Sequence, residues 1–234
     1  MKLSILMPVY NEAETIAAVV EKVQSVPLDK EIVLVDDAST DGTARIVDRL
    51  ASPGVQVLHH SANSGKGAAI CTALSAATGE VIVIQDADFE YDPFDFPRLI
   101  APMLAGQADV VYGVRSLQSQ RSYMSLGNKF VTAAANLLYR QKIKDLETCY
   151  KMMWREIGCS LDLECSRFDV EAEITAKLVR SGYKIHEIPI QYTARYHNKK
   201  LSPLDGIPTI QALWRYRKWK PSVAVKGKKY GETH

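Results

Sequence analysis

Residues 80–90 read E-V-I-V-I-Q-D-A-D-F-E. Residues 80–85 predict a strand, and the unbroken aliphatic run 81–84 within it is the pattern of a strand buried on both faces. It stops on Asp86-Ala87-Asp88. Two carboxylates at a buried strand end are costly unless something pairs with them. Upstream, residues 67–78 form an Ala-rich helical pattern, with Gly79 where a C-cap belongs. Downstream, residues 96–105 predict a helix and residues 109–114 a further strand.

Toward the N-terminus the same alternation continues. Residues 3–9 are apolar except for Ser4 and predict a first strand; residues 12–26 place Ile16, Val19, Val20 and Val23 at helical spacing. E-I-V-L-V-D (31–36) is a second strand, Asp41-Gly42-Thr43 opens a helix, and residues 55–59 are a third strand. Strands alternating with helices predict an α/β sheet with right-handed crossovers, whose ligands bind at the carboxyl ends of the strands. After Val114 the rhythm loosens. A polar, mobile stretch at 116–122 leads to a helix at 123–139 and a strand at 148–153. A helix at 169–181 ends on Gly182, and a strand covers 184–190. A basic loop at 192–202 follows, then a helix at 203–219, and residues 221–234 read as a disordered tail.

Composition narrows the function classes. Apolar residues at 47% and charged residues at 24% are those of a globular chain, and a net charge of +2 argues against a nucleic-acid partner. The charge is uneven. Residues 195–234 carry ten Lys/Arg against two Asp/Glu (+8), leaving residues 1–194 at −6, which points to an anionic ligand or surface at the basic end. The four cysteines form no C-x-x-C pair, against structural zinc, and fit reduced thiols in the cytoplasm. Met1–Glu14 reads as a strand and not a signal peptide, and no run of about 18 apolar residues predicts a membrane span.

Acidic and polar residues collect at the strand ends. Asp86 and Asp88, with Glu90 two residues on, offer oxygen-only ligands of the kind Mg²⁺ or Mn²⁺ accepts while sharing a diphosphate; the alternative is helix capping. Val35-Asp36-Asp37 ends the second strand, where a carboxylate either accepts from a ribose or base or holds the turn. Pro8-Val9-Tyr10-Asn11-Glu12 ends the first, with Tyr10 able to stack on a base. Asn63-Ser64-Gly65-Lys66-Gly67 is not a Walker A sequence, but its backbone N–H groups at a helix start suit an anion.

In this order and spacing, P-V-Y-N-E, V-D-D-x-S-x-D-G-T, N-x-G-K-G and D-A-D resemble the family 2 glycosyltransferases over the first 115 residues. Within that family the chain looks most like the polyprenyl (dolichyl) phosphate mannose synthases and related polyprenyl-phosphate sugar transferases. Gly113-Val114-Arg115, Arg121…Ser125…Asn128 and Asp145–Lys151 follow in the order of that subgroup's later motifs. The resemblance implies a single-domain GT-A fold, a three-layer α/β/α architecture on a mostly parallel mixed sheet. Residues 1–115 would form the nucleotide-sugar half, residues 116–202 the acceptor half with its basic lid at 192–202, and residues 203–220 a basic amphipathic helix.

The resemblance also implies roles. Pro8, Tyr10, Glu12, Val35, Asp37 and Lys66 would hold a GDP- or UDP-sugar donor. Asp86, Ala87 and Asp88 would contact its ribose, pyrophosphate and metal, with Asp88, Glu90 and Asp86 as ligands of Mg²⁺ or Mn²⁺. Glu90 stands where the mannose synthases often carry Gln. Arg115 and Arg121 would meet an acceptor phosphate, and Arg195 and Lys199 the donor diphosphate. Members typically read D-x-T-S-G-F where this chain has Asp145-Leu146-Glu147-Thr148-Cys149-Tyr150.

Two inverting schemes follow. A polyprenyl phosphate arrives ionised and needs only cations to position it, Arg115 and Arg121. A hydroxyl acceptor needs a base, and Asp145 or Glu147 could serve unless paired with Arg140 or Lys144. A nucleotidyltransferase lacks its Gly-rich loop here, and a silent sugar-nucleotide binder would not need Asp86, Asp88, Arg195 and Lys199 together. Trp214, Tyr216 and Trp219 alternate with Arg215, Arg217, Lys218 and Lys220. That pattern suits either a peripheral helix on the cytoplasmic face of a membrane, alone or with a separate membrane protein, or a helix packed on the body.

Overall fold

The computed structural model describes residues 1–116, 122–164, 166–167, 169–195 and 206–221, without the side chains of residues 122–125. The strands are β1 (Leu3–Val9), β2 (Lys30–Asp36), β3 (Val55–His59), β4 (Val81–Ile84), β5 (Val110–Arg115), β6 (Lys151–Trp154) and β7 (Ile185–Ile190). The α-helices are α1 (Ile16–Ser25), α2 (Thr43–Leu50), α3 (Lys66–Ala76), α4 (Phe96–Leu104), α5 (Ser122–Tyr139), α6 (Arg155–Ser160), α7 (Val170–Arg180) and α8 (Gly206–Tyr216).

The strands form one sheet in the order β3-β2-β1-β4-β6-β5-β7. All seven residues of β1 and all four of β4 are buried, as strands covered on both faces must be. β1, β2, β3 and β4 are parallel, in registers that pair Val9 with Asp36 and Leu6 with Ile84. The strand ends carrying Tyr10, Asp37 and Asp86 therefore arrive at one edge. β6 breaks the parallel pattern, running antiparallel to both β4 and β5. Its N-terminal approach, residues 145–150, consequently reaches the edge where the parallel strands end. β5 and β7 pair in parallel.

One sequence expectation is corrected here. Gly79 does not cap α3, whose C-cap is Ala77. Its role is close approach: a Cβ there would lie 2.6 Å from the Lys2 carbonyl and 2.7 Å from Ser4 Oγ on β1. The aromatic set of α8 and the residues after it does not face one way. Tyr216 is buried and Trp219 half-buried, both beside the ammonium of Lys177, while Trp214 is exposed with Arg217 stacked 3.8 Å from its ring centre. The tail at 222–234 lies outside the described residues, as does most of the polar stretch at 116–122. Among the described residues, no helix is long and apolar enough to cross a membrane.

Candidate active site

A cavity of about 350 Å³ opens at this edge. Pro8, Tyr10 and Glu12 line it from the end of β1. The chain turns there through Asn11 and Ala38, both in the left-handed region (φ 50° and 58°). Asn tolerates that conformation well. Its Oδ1 accepts from the Thr40 N–H at 2.8 Å and its own N–H donates to Ser39 Oγ at 2.9 Å, tying the two strand ends together.

Asp37, 3% exposed, spends both carboxylate oxygens on the next loop. It accepts from the N–H groups of Ser64 (2.8 Å) and Gly65 (2.7 Å), and its Oδ1 lies 2.7 Å from His60 Nδ1. Gly65 is needed twice over: its φ is +95°, and a Cβ would collide with the Ser166 carbonyl. Asp37 lines the cavity, but what it visibly does is shape the loop that presents Lys66. Val35 does not reach the cavity. Paired with Pro8 inside the sheet, its side chain is fully buried in the core.

Lys66 starts α3 and bridges two elements, 2.8 Å from Asp86 and 2.7 Å from Glu171 of α7. Burial alone would lower its ammonium pKa, but Asp86 and Glu171 hold it well above the usual lysine range. Asp88 sits in a crowd of like charge. Burial first, then Asp86, Glu90 and Glu12, push its carboxyl up to about 7. Arg195 partly compensates, 2.8 Å from Glu12 and 3.7 Å from Asp88.

Among the described residues, no group of three or more His, Cys, Asp and Glu side chains is gathered as a metal cluster. Glu90 in particular is turned to the segment after β7, accepting from the Arg195 N–H (2.7 Å) and the Tyr192 hydroxyl (2.9 Å). Glu90 nevertheless lines the same cavity, close enough for its charge to act on Asp88. Asp86 and Asp88 are an oxygen-only pair on a cavity wall. Such a pair fits Mg²⁺ or Mn²⁺, which keep several positions for water and phosphate.

Arg115 also lines the cavity, but its fork is engaged. Nε and Nη2 donate to Asp145 at 2.7 and 2.8 Å, and its backbone N–H adds a third bond at 3.1 Å. Asp145 thus pairs with neither Arg140 nor Lys144, and it is not available as a base. Glu147, carried to the rim by β6, is different. Its Oε1 is shut off from solvent with no hydrogen-bond partner, and burial followed by the Glu171 charge pushes its carboxyl up to about 7.

Arg121 and Lys199 lie outside the described residues, as do residues 196–202 of the basic loop. The first part of that loop, Tyr192–Arg195, is fastened down through Glu90 and a bridge to Tyr91. Sequence reasoning missed Glu171 and Arg167 on the cavity wall. Glu171 stands in the first turn of α7, where an acid reads simply as a partner for the helix dipole.

Carboxylates set against lysine and arginine at the carboxyl edge of this mixed sheet define a GT-A transferase architecture. The glycosyl transferase family 2 model matches residues 4–158, more than half of the chain, and the chain belongs to that family. It is 27% identical over 232 residues to polyprenol monophosphomannose synthase of Mycolicibacterium smegmatis, covering 92% of this chain and 85% of that protein. It is 26% identical over 235 residues to dolichol-phosphate mannosyltransferase of Pyrococcus furiosus, covering 95% of this chain and 66% of that one. Among solved structures it is similar in fold to glucosyl-3-phosphoglycerate synthase from Mycobacterium tuberculosis in complex with Mn²⁺, UDP-glucose and phosphoglyceric acid. The TM-score is 0.72 at 21% identity, covering 92% of this chain and 79% of that one.

Proposed function

We propose that this chain transfers a sugar, with inversion, from a nucleoside-diphosphate sugar to a polyprenyl phosphate. The observation that carries the reading is the Asp86-Ala87-Asp88 strand end, its carboxylates crowded at the wall of the cavity and faced by Lys66 and Arg195. Asp86 and Asp88 would hold Mg²⁺ or Mn²⁺, which when bound neutralises charge on the departing diphosphate. Lys66 and Arg195 supply fixed positive charge to the same end, and Tyr10 offers a face for the base. The relatives named for polyprenol and dolichol phosphates support a lipid phosphate as acceptor. The Arg115–Asp145 pair bears on both schemes: it takes up Asp145 as a base and also engages the Arg115 fork that would meet an acceptor phosphate.

Attachment to an anionic membrane surface completes the reading. It is supported by the +8 charge of residues 195–234 and by exposed Leu126, Phe130 and Leu137 on α5 and Ile207 and Trp214 on α8. A second reading, transfer to a hydroxyl, is favoured by one observation, the Glu147 carboxylate on the cavity wall with its Oε1 lacking a partner.

The test is release of nucleoside diphosphate from UDP- and GDP-sugars, with and without Mn²⁺. Wild type should require the metal, and Asp88→Asn should lose on the order of a hundredfold in turnover. Full activity in EDTA, or in Asp88→Asn, would contradict the reading.

A further inference from the structure

Beyond the strand end, the cavity has a second acidic wall with no assigned role. Glu147 Oε1 is sealed from solvent and accepts nothing, and the same holds for Glu171 Oε2, whose residue is only 5% exposed. Both residues line the cavity. Buried polar atoms in native sites normally have partners, so two cavity-lining carboxylates that each keep one orphaned oxygen behind the wall mark a place where a ligand's donors would complete the site once the side chains turn toward it. The nearby cations do not fill it. Arg115 is forked onto Asp145, and Lys151 donates to the Leu146 carbonyl at 2.6 Å, above the Tyr112 ring. Lys66 takes the other Glu171 oxygen.

Position decides what the ligand group is. Lys66 touches Asp86 with one contact and Glu171 with the other, so a single ammonium separates this wall from the strand end proposed for the diphosphate. In a nucleoside-diphosphate sugar the hexose is bonded directly to that diphosphate. Its ring therefore falls beside Glu171 and Glu147. Carboxylates only accept hydrogen bonds when ionised, and sugar hydroxyls are the donors a hexose has.

Resting on the function proposed above, we propose that Glu147 and Glu171 form a sugar subsite. It holds hydroxyls of a neutral hexose and rejects a uronic acid, whose own carboxylate would be a further acid against a wall where Glu147 and Glu171 already repel each other. Specificity of this kind comes from unpaired groups left behind by the wrong ligand as much as from contacts to the right one.

Calorimetric titration separates the subsite from its surroundings. The ligands are UDP, GDP, UDP-glucose, GDP-mannose and UDP-glucuronate, each with Mn²⁺, against wild type, Glu147→Gln and Glu147→Ala. Wild type should bind the neutral hexose donor at least about tenfold more tightly than the uronate. Glu147→Gln should weaken the nucleotide sugar by about tenfold, and Glu147→Ala by more, with the nucleoside diphosphate unchanged in both. Gln preserves volume and removes a buried charge, so it carries the test if the Ala variant does not fold. Equal sugar-to-diphosphate affinity ratios in wild type and Glu147→Gln would overturn the subsite alone. So would a loss of kcat with donor affinity intact, which is the signature of a base. Failure of wild type to bind any nucleotide sugar would overturn both the subsite and the function beneath it.

Discussion

Glu147 couples stability to pH in a direction opposite to most surface acids. Its carboxyl is pushed up to about 7 in the fold, by burial and then by Glu171, from an ordinary glutamate value of about 4.5. The native state therefore binds its proton more tightly than the unfolded chain does. Stability is greatest below the unfolded pKa and falls as pH rises through the window from about 4.5 to 7. Glu147→Gln removes that fall. It should be more stable than wild type at pH 8, by up to about 3 kcal/mol, and equal to it near pH 4. Urea denaturation at the two pH values checks this; a variant less stable at pH 8 would contradict it. Much at this scale was legible in sequence. Tyr10, Glu12, Lys66, Asp86, Asp88 and Arg195 all reach the cavity, the first two and the aspartates from strand ends and Lys66 and Arg195 where the family resemblance implied. Asp145 and Arg115 were each legible as charges but not as each other's partners. Thirty residues apart, they meet only because β5 and the approach to β6 lie side by side.

At the level of elements, α7 contains a tension that its sequence pattern does not reveal. Val170–Leu178 is buried on every side, so Lys177 and Glu173 lie inside the protein, one turn apart and 2.7 Å from each other. Lys177 also donates to the Asp162 carbonyl at 2.5 Å. Removing one member of such a pair strands a charge, whereas replacing both with apolar residues does not. Lys177→Met should cost about 3 kcal/mol or more, and Lys177→Met with Glu173→Leu should recover most of it. Chemical denaturation of the three variants decides; a double variant as unstable as the single would contradict the account. The parallel strands and their helices were readable because aliphatic runs and helical spacing are local signals. The direction of β6 was not. Four residues give no sign of orientation, and pairing with β4 and β5 sets it. That reversal is what carries Glu147 to the working edge.

Over the whole molecule, exposed apolar side chains gather on α5 and on α8, the helix that carries Arg215. Leu126, Phe130 and Leu137 of α5 are 68%, 69% and 86% exposed, and α8, which packs against α5, adds Ile207 and Trp214. Each basic residue near an anionic surface contributes about 1 kcal/mol, screened within a Debye length. Binding to vesicles containing anionic lipid should therefore be measurable at low salt and weaken steeply as salt rises. Leu137→Asp with Phe130→Asp should reduce what remains at high salt. Co-sedimentation reads both effects, and equal binding to neutral and anionic vesicles would contradict them.

The central claim concerns where the sugar goes. Purified protein with Mn²⁺ and radiolabelled GDP-mannose or UDP-glucose should be offered a polyprenyl phosphate, the corresponding polyprenol, and a soluble sugar alcohol, each separately. The account predicts label in the lipid fraction with the polyprenyl phosphate alone, and none on either hydroxyl acceptor. Label on a hydroxyl acceptor and none on the polyprenyl phosphate would contradict it.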